Sequence, residues 1–323
     1  MRRLLDRNRW VWSAACVLLL WTILSLLTSS FSLQSLSGVA VSASFLTLAA
    51  LGQMLVVTTG RGNVDLSVAS VITLSAYVGM LVTHGSDRLL PAGIAAVAGV
   101  GLAAGCANAA LVALLRIPAI IATLATGYIL ATFTLFANRF VSGSAVSPTL
   151  RGIATQRVAG VPIMLLLALA AVAVAAWLLR ASVYGRTLSA VGQNERAAVL
   201  AGVRVRRVTA AAFLACSLLA AFDGMLLSAY VGGAFLEMGG PYVLQSLGAV
   251  VLGGTLIFGG AATAAGTLFG SLLLVLIVTT MQIARLPPGL QDVVQGCVII
   301  AVLGLAGGRA LARPAAKVPA ADS

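Results

Sequence analysis

The feature that most constrains this chain is a series of ten long apolar segments. A helix needs about 20 apolar residues to cross the hydrocarbon core of a bilayer. Hydrophobic residues fill 60% of the 323 positions and charged residues only 9%, whereas about a quarter of a soluble domain is charged. The sequence therefore predicts an all-α, polytopic transmembrane helix bundle of about ten spans, at residues 11–29, 39–58, 65–83, 90–115, 117–136, 161–180, 209–230, 242–259, 263–283 and 289–307.

The distribution of positive charge predicts the orientation of this bundle. The formal net charge is +12, but the cations are spread over the connecting segments and form no single nucleic-acid-binding patch. If the N-terminus is cytoplasmic, about three quarters of the 20 Lys and Arg residues face the cytoplasm, in line with the positive-inside rule. We therefore expect both termini in the cytoplasm, membrane lipid as the surroundings and no nucleic-acid partner.

The same pattern predicts one transmembrane domain over residues 1–308. The segment 309–323 is basic and rich in Ala and Pro, and is expected to be a short, disordered cytoplasmic tail. The largest cytoplasmic loop is 181–208, and 137–160 is the longest external loop.

Residues that carry enzyme chemistry are scarce. His84 is the sole histidine, and the four cysteines lie in apolar segments without a CxxC pair, so no metal site or cofactor is expected. We expect these cysteines to be buried apolar side chains. Lys317 is the sole lysine and Val318 follows it, so the sequence lacks the G-x-x-x-x-G-K-[ST] loop that holds nucleotide phosphates. The chain is predicted to be no enzyme, and any ATP hydrolysis is expected on a partner chain.

One polar stretch stands out, "VGQNERAAVLAGVRVRRV" at residues 191–208. Asn194 is a good N-cap, Glu195 complements the helix dipole, and Gly202 suits a helix end. The result is a helix of about two turns, which is marginal in water by itself. Its small face of Ala197, Ala198, Leu200 and Ala201 predicts docking on a protein partner. The alternative is an amphipathic helix on the membrane surface.

Candidate pathway residues are polar or aromatic side chains within the apolar segments. A buried charge is costly there, which marks ionisable groups as functional candidates. The alternative role of Asp65 is that of a helix N-cap. Asp223 has the alternative of pairing with another residue inside the bundle. Asp292 lies near a span end. Neutral hydrogen-bonding groups suit a polyol, and aromatic rings stack on sugars or simply pack. The full candidate set is Asp65, Asn108, Thr123, Thr126, Phe133, Phe222, Asp223 and Gln245.

Four blocks of the sequence carry a family resemblance. "YGRTLSAVGQNERAAVLAGV" (184–203) resembles the cytoplasmic coupling loop G-x-x-x-x-A-x-G-x-N-x-x-A-A-x-x-x-G-I/V of bacterial ABC importer permeases of the ribose-type (monosaccharide) family. "TTGRGNVDLSVASVITLSA" (58–76), "RIPAIIATLAT" (116–126) and "LGAVVLGGTLIFGGAATAAGTLFGSLLL" (247–274) resemble further blocks of that family. They follow in the family's order, so the resemblance covers most of residues 39–305.

The resemblance implies a permease subunit that carries a monosaccharide or similar polyol across the bacterial cytoplasmic (inner) membrane by alternating access. It also implies three partners: an ATP-binding (ATPase) subunit that docks on residues 194–202, an extracytoplasmic substrate-binding protein, and a second permease copy or paralogue. The implied ATPase-coupling residues are Gly192, Asn194, Glu195, Arg196, Ala197, Ala198 and Gly202.

Two other interpretations stay open at this point. Permeases of the same architecture carry nucleosides or branched-chain amino acids, and a proton-coupled secondary transporter would use the aspartates and no ATPase. The sequence also departs from the family's usual residues at Arg61, Gly62, Asn63, Ala69, Asp223, Ala261 and Ala262. These departures bear on the substrate more than on the fold.

Overall fold

The computed structural model describes residues 10–27, 33–141 and 146–311, and is 79% helical. A 3-10 turn (Asp87–Leu89), a π-helix (Ala110–Leu114) and an antiparallel strand pair (Arg157–Val158 with Val161–Pro162) complete the regular structure of this part. Its thirteen α-helices are α1 Trp10–Leu27, α2 Leu33–Thr58, α3 Val68–Thr83, α4 Leu90–Ala109, α5 Ala119–Asn138, α6 Pro148–Thr155, α7 Ile163–Ala181, α8 Val183–Gln193, α9 Glu195–Leu200, α10 Val205–Val231, α11 Tyr242–Leu252, α12 Ala264–Ile283 and α13 Pro288–Leu311.

Each of the ten predicted segments contains a helix, and the chain is a multi-pass membrane protein. Within the described residues, six helical stretches are long and apolar enough to cross a bilayer: Ser37–Thr58, Asp87–Leu114, Ala119–Asn138, Ile163–Ala181, Val205–Val231 and Ala264–Ile283. The other four positions hold shorter apolar stretches: Val11–Ser25, Val68–Thr83, Tyr242–Leu252 and Gly289–Ala301. The count of ten spans and the cytoplasmic termini stay predictions.

Two predicted segments are wrong in their bounds. The segment 242–259 is helical only to Leu252, because Gly253 and Gly254 follow and Gly254 takes a left-handed φ of 84°. Residues 253–263 then run as an irregular loop. The segment 65–83 becomes helical only at Val68, so Asp65 precedes the helix instead of opening it. At the end of the chain, α13 continues three residues past 308, and residues 312–323 of the predicted tail lie outside the described part.

Helix α2 lies at the centre of the bundle, with 94% of its most apolar stretch buried. Helix α10 packs along α2, α3 and α4. Small residues on the facing sides of the helices make these contacts close. A Cβ at Gly101 or Gly105 of α4 would lie about 3 Å from the backbone of α10, and one at Gly266 or Gly270 of α12 would collide with the backbone of α11 or of Gly253 just beyond it.

The outer surface of the bundle carries large apolar side chains, among them Val174 and Trp177 of α7 and Phe136 of α5. Such a surface is typical of a protein that faces lipid. Cys16, Cys106 and Cys297 are exposed and Cys216 is buried, so the expectation that all four are buried is wrong. Lipid is as apolar as a protein core, and an apolar segment therefore does not reveal which of its side chains face inward.

The connection between α10 and α11 re-enters the bundle. Helix α10 ends at Gly232, whose φ is 85°. The N–H of Gly239 then donates to Thr73 Oγ1 of α3 at 3.0 Å, and a Cβ on Gly239 would collide with the backbone of Ala69. Met238 and Gly239 are buried, so the connection to α11 packs against the first turns of α3. Discontinuous helices of this kind are tolerated in membranes where protein or a cavity surrounds the irregular backbone.

Candidate functional site

The loop 181–208 folds into two consecutive short helices, of which the sequence predicted only the second. Helix α8 ends where Asn194 becomes extended (φ −159°, ψ 101°), and α9 follows. The Asn194 side chain accepts a hydrogen bond from the N–H of Ala197 at 3.0 Å, as predicted for an N-cap. Gly202 has a φ of 80°, as predicted for the residue that ends the helix.

The residues of the predicted docking face of α9 differ in burial. Ala198 is buried, with 4% of its surface exposed, and belongs to the main core cluster. Leu200 is 90% exposed, and Ala197 and Ala201 are exposed beside it. Placing Ala198 on the docking face was therefore wrong. Ala198 anchors α9 to the bundle, and the free face consists of Ala197, Leu200 and Ala201.

An ion pair ties α9 to the loop that follows α2. The guanidinium of Arg61 contacts the carboxylate of Glu195 in the first turn of α9. Gly60, Arg61 and Gly62 all have a φ near 60–80°, and a non-glycine residue in this region is strained by about 1 kcal/mol or more. Arg61 departs from the family's usual residue, and the structure gives it a contact with α9.

Four glycines from three distant segments meet directly behind α9, and we call them the glycine junction: Gly60, Gly192, Gly259 and Gly260. The N–H of Gly260 donates to the carbonyl of Thr58 at 3.0 Å, and Gln193 Nε2 donates to the Gly260 carbonyl at 3.2 Å. A Cβ on any of the four would lie 3.1 Å or less from a neighbouring atom, mostly of the backbone. Only glycine allows the three segments to approach this closely.

A partial signal for this junction is present in the sequence. Gly192 was a predicted coupling residue, and "TTGRGN" and "FGGA" belong to blocks that carry the family resemblance. Their mutual contact was missed, because residues 60, 192 and 259 are far apart in the chain.

Helix α8 is held against α10 by Tyr184. Its phenolic O–H donates to the carbonyl of Val208 at 3.3 Å. Burial raises the pKa of Tyr184, so its phenol is even harder to ionise than that of an ordinary tyrosine. This contact and Ala198 fix the position of α8 and α9 on the bundle.

Three predicted pathway residues meet at the start of α3. Asp65 is buried, and its Oδ1 accepts hydrogen bonds from the N–H and hydroxyl of Ser67 at 2.9 and 2.5 Å. Asn108 Nδ2 donates to Ser67 Oγ at 2.8 Å and lies 3.3 Å from Asp65 Oδ1. Thr123 Oγ1 accepts from the N–H of Leu66 at 3.0 Å. These hydrogen bonds fix the non-helical segment between α2 and α3. Arg61 belongs to the same segment, so the cluster also helps to position the loop behind α9.

Asp223 and Asp65 are the buried carboxylates among the described residues, and Asp223 is the one without a hydrogen bond. It is 0% exposed in the middle of α10, and neither of its carboxylate oxygens has a hydrogen-bond partner among the residues that the structure describes. Asp223 lies in the part of α10 that precedes the break between α10 and the half-length helix α11.

The remaining pathway candidates do not converge on one place. Thr126 is buried, and its hydroxyl donates to the Ala122 carbonyl of its own helix at 3.1 Å. Gln245 Nε2 donates to Gln295 Oε1 at 2.9 Å and links α11 to α13. Phe133 is largely exposed on the outer surface of α5, and Phe222 is partly exposed. Asp292 is also exposed, as predicted for a residue near a span end.

Comparison with known proteins gives one family. The family model that matches residues 35–303 is described as branched-chain amino acid transport system / permease component. No solved structure gives a significant match.

Three similar proteins carry the same name, Autoinducer 2 import system permease protein LsrC. The protein from Shigella flexneri is 32% identical over 307 residues, which cover 94% of this chain and 88% of that protein. The one from Enterobacter sp. (strain 638) is 33% identical over 305 residues, 93% and 87% of the two chains. The one from Klebsiella pneumoniae subsp. pneumoniae is 34% identical over 296 residues, 91% and 84%.

Proposed function

Because the chain belongs to the family described as branched-chain amino acid transport system / permease component, we propose that it is the membrane subunit of an ATP-driven ABC importer. Its place is the bacterial cytoplasmic membrane, with ten spans, one permease domain over 1–308 and both termini inside. The LsrC proteins, which are named as permeases of an import system, match over more than nine tenths of this chain and support the proposal.

The observation that carries the ATP-driven part is the geometry of α9. Leu200 is 90% exposed on a short helix whose other side is anchored by Ala198 and tied to Arg61. Val199, Ala197 and Ala201 are exposed beside it, and a contiguous exposed apolar patch is typical of a protein contact. We propose that a separate ATPase subunit covers this face and that residues 194–202 are the coupling helix.

The substrate class follows from the similar proteins. They are named for the import of autoinducer 2, and the sequence resembles the ribose-type permeases. We propose autoinducer 2 or a monosaccharide-like polyol as the substrate. An extracytoplasmic binding protein delivers it, and a second permease copy or paralogue completes the pathway. A branched-chain amino acid is the runner-up, because the family description names that class.

Alternating access requires a rigid link from the ATPase to the spans. The glycine junction supplies close contacts of α8 with the loops after α2 and α11. Asn108 and Thr123 connect the first of these loops to α4 and α5. Movement of α9 would thereby shift the start of α3 together with the end of α11.

Transport by proteoliposomes tests this function. The chain is reconstituted with the cognate ATPase and binding protein, and uptake of labelled autoinducer 2 is measured with ribose and leucine as competitors. We expect uptake to require ATP on the ATPase side and the binding protein, and to persist with a protonophore. Uptake that ignores ATP and collapses with the protonophore would identify a proton-coupled transporter. Inhibition by leucine and not by ribose would identify the substrate as a branched-chain amino acid.

A further inference from the structure

A deep cleft lies on the side of α9 that faces the bundle, and we call it the arginine cleft. Its volume is about 830 Å³, and its arginines are Arg61, Arg116, Arg204, Arg206 and Arg207. The loop after α2, the turn after the π-helix and the start of α10 supply them. Its apolar wall comes from the π-helix and the start of α5, with Val112, Ile117 and Ile120.

The charge of this cleft is unbalanced. Among the described residues that line it, Glu195 is the one acidic side chain, and it already pairs with Arg61. The other four arginines are exposed and line the same cleft. Like charges held in one concave site raise the local positive potential and attract an anionic group. Guanidinium groups match carboxylates in a bidentate geometry.

Backbone strain also marks the cleft. Arg61 and Arg116 both line it, and both have a left-handed φ of 59°. An L-residue with a side chain adopts this conformation only where the surroundings impose it, and such residues cluster at functional sites. Arg116 directly precedes Ile117 and Pro118, and Pro118 is the N-cap of α5. The strained turn at Arg116 therefore lies just before the start of α5.

The cleft is continuous with the face of α9 that we assign to the ATPase. A smaller cavity of about 320 Å³ on that face is lined by Arg61, Glu195, Arg196, Val199 and Leu200. Three of these residues, Arg61, Glu195 and Val199, also line the arginine cleft. A protein that covers Leu200 therefore also covers the opening of the cleft.

We propose that the ATPase subunit inserts an acidic segment, with Asp or Glu carboxylates, into the arginine cleft beside its contact with α9. This proposal rests on the function proposed above, and adds a second, electrostatic contact to the apolar one at Leu200. The carboxylates meet the four guanidinium groups that Glu195 leaves unbalanced, and the apolar wall contacts the backbone of the inserted segment. The strength of this contact falls as salt screens it.

The test is the affinity of the purified permease for its ATPase in detergent, measured over a series of NaCl concentrations. We expect the Arg204→Glu/Arg207→Glu variant to bind on the order of tenfold more weakly at low salt, and to lose most of the salt dependence. The milder Arg204→Gln/Arg207→Gln variant should fall between it and the wild type. Arg180→Glu/Arg186→Glu makes the same charge change in exposed residues outside the cleft, and should bind like the wild type.

Each other outcome has a distinct meaning. If the wild type binds no ATPase, the proposed function fails and this inference fails with it. If the wild type binds and the cleft variants bind equally at every salt concentration, the inference alone is overturned. It is also overturned if the variants keep ATPase binding but retain less anionic phospholipid in nanodiscs, because the cleft would then be a lipid site.

Discussion

Replacing Gly192 by alanine is expected to abolish ATP-driven transport and to lower the stability of the purified permease. The added Cβ would collide with the Thr58 carbonyl oxygen and the backbone nitrogen of Gly260. Both atoms belong to the backbone, so no side chain can move aside. Overpacking of this kind costs up to about 3 kcal/mol. We expect a fall of several degrees in the thermal midpoint, measured by a fluorescence melt in detergent, and uptake reduced by more than tenfold.

Gly99→Ala is the matched control. Gly99 lies in α4 with open space where a Cβ would be, and alanine in an exposed helical position is favoured over glycine by up to about 1 kcal/mol. The control should therefore be slightly more stable and fully active. Equal stability and transport for Gly192→Ala and wild type would show that the junction is looser than its contacts indicate.

Replacing Asp223 by asparagine is expected to stabilise the chain and to impair transport. A carboxyl group that is buried without a hydrogen-bond partner is costly, and asparagine has nearly the same shape and cannot carry a charge. The thermal midpoint should rise by a few degrees or stay unchanged. Uptake should fall by at least tenfold, because a buried ionisable group that has no structural partner is retained for function. Substrate sites of membrane transporters lie at discontinuous helices, and the break between α10 and α11 follows Asp223 in the chain.

Asp292→Asn is the control, because it removes the charge of an exposed aspartate. It should change neither the thermal midpoint nor the uptake rate. A Asp223→Asn chain that melts several degrees lower and still transports at the wild-type rate would assign Asp223 a structural role. A functional role predicts lost uptake with an unchanged or higher thermal midpoint, and a structural role predicts a lower midpoint with normal uptake. Both quantities can be measured on one preparation.

Local physical rules predicted the local structure. Apolar length placed a helix in each of the ten segments, and the Asn194 cap and the Gly202 terminus of α9 are where side-chain chemistry requires them. The wrong end of the segment 242–259 has a local cause as well. Gly253 and Gly254 stop the helix, although the hydropathy of the following residues continues.

Contacts between distant segments could not be predicted in this way. The glycine junction depends on three loops that meet only in the folded bundle. The inward side of α9 was also ambiguous, because alanines occupy both of its faces and Ala198 differs from Ala197 only in what lies behind it. Phe133 shows the same ambiguity in a span, since lipid and protein interior select equally apolar side chains.

The central claim is that α9 docks a separate ATPase, and affinity capture tests it most directly. The permease is purified in mild detergent from its native membranes as wild type, Leu200→Arg and Val183→Arg. Leu200 and Val183 are both exposed apolar residues of the loop 181–208, and only Leu200 lies on the free face of α9. We predict a near-stoichiometric ATP-hydrolysing subunit with wild type and Val183→Arg, and its loss with Leu200→Arg. Equal capture by all three, or no ATPase with the wild type, would contradict the account.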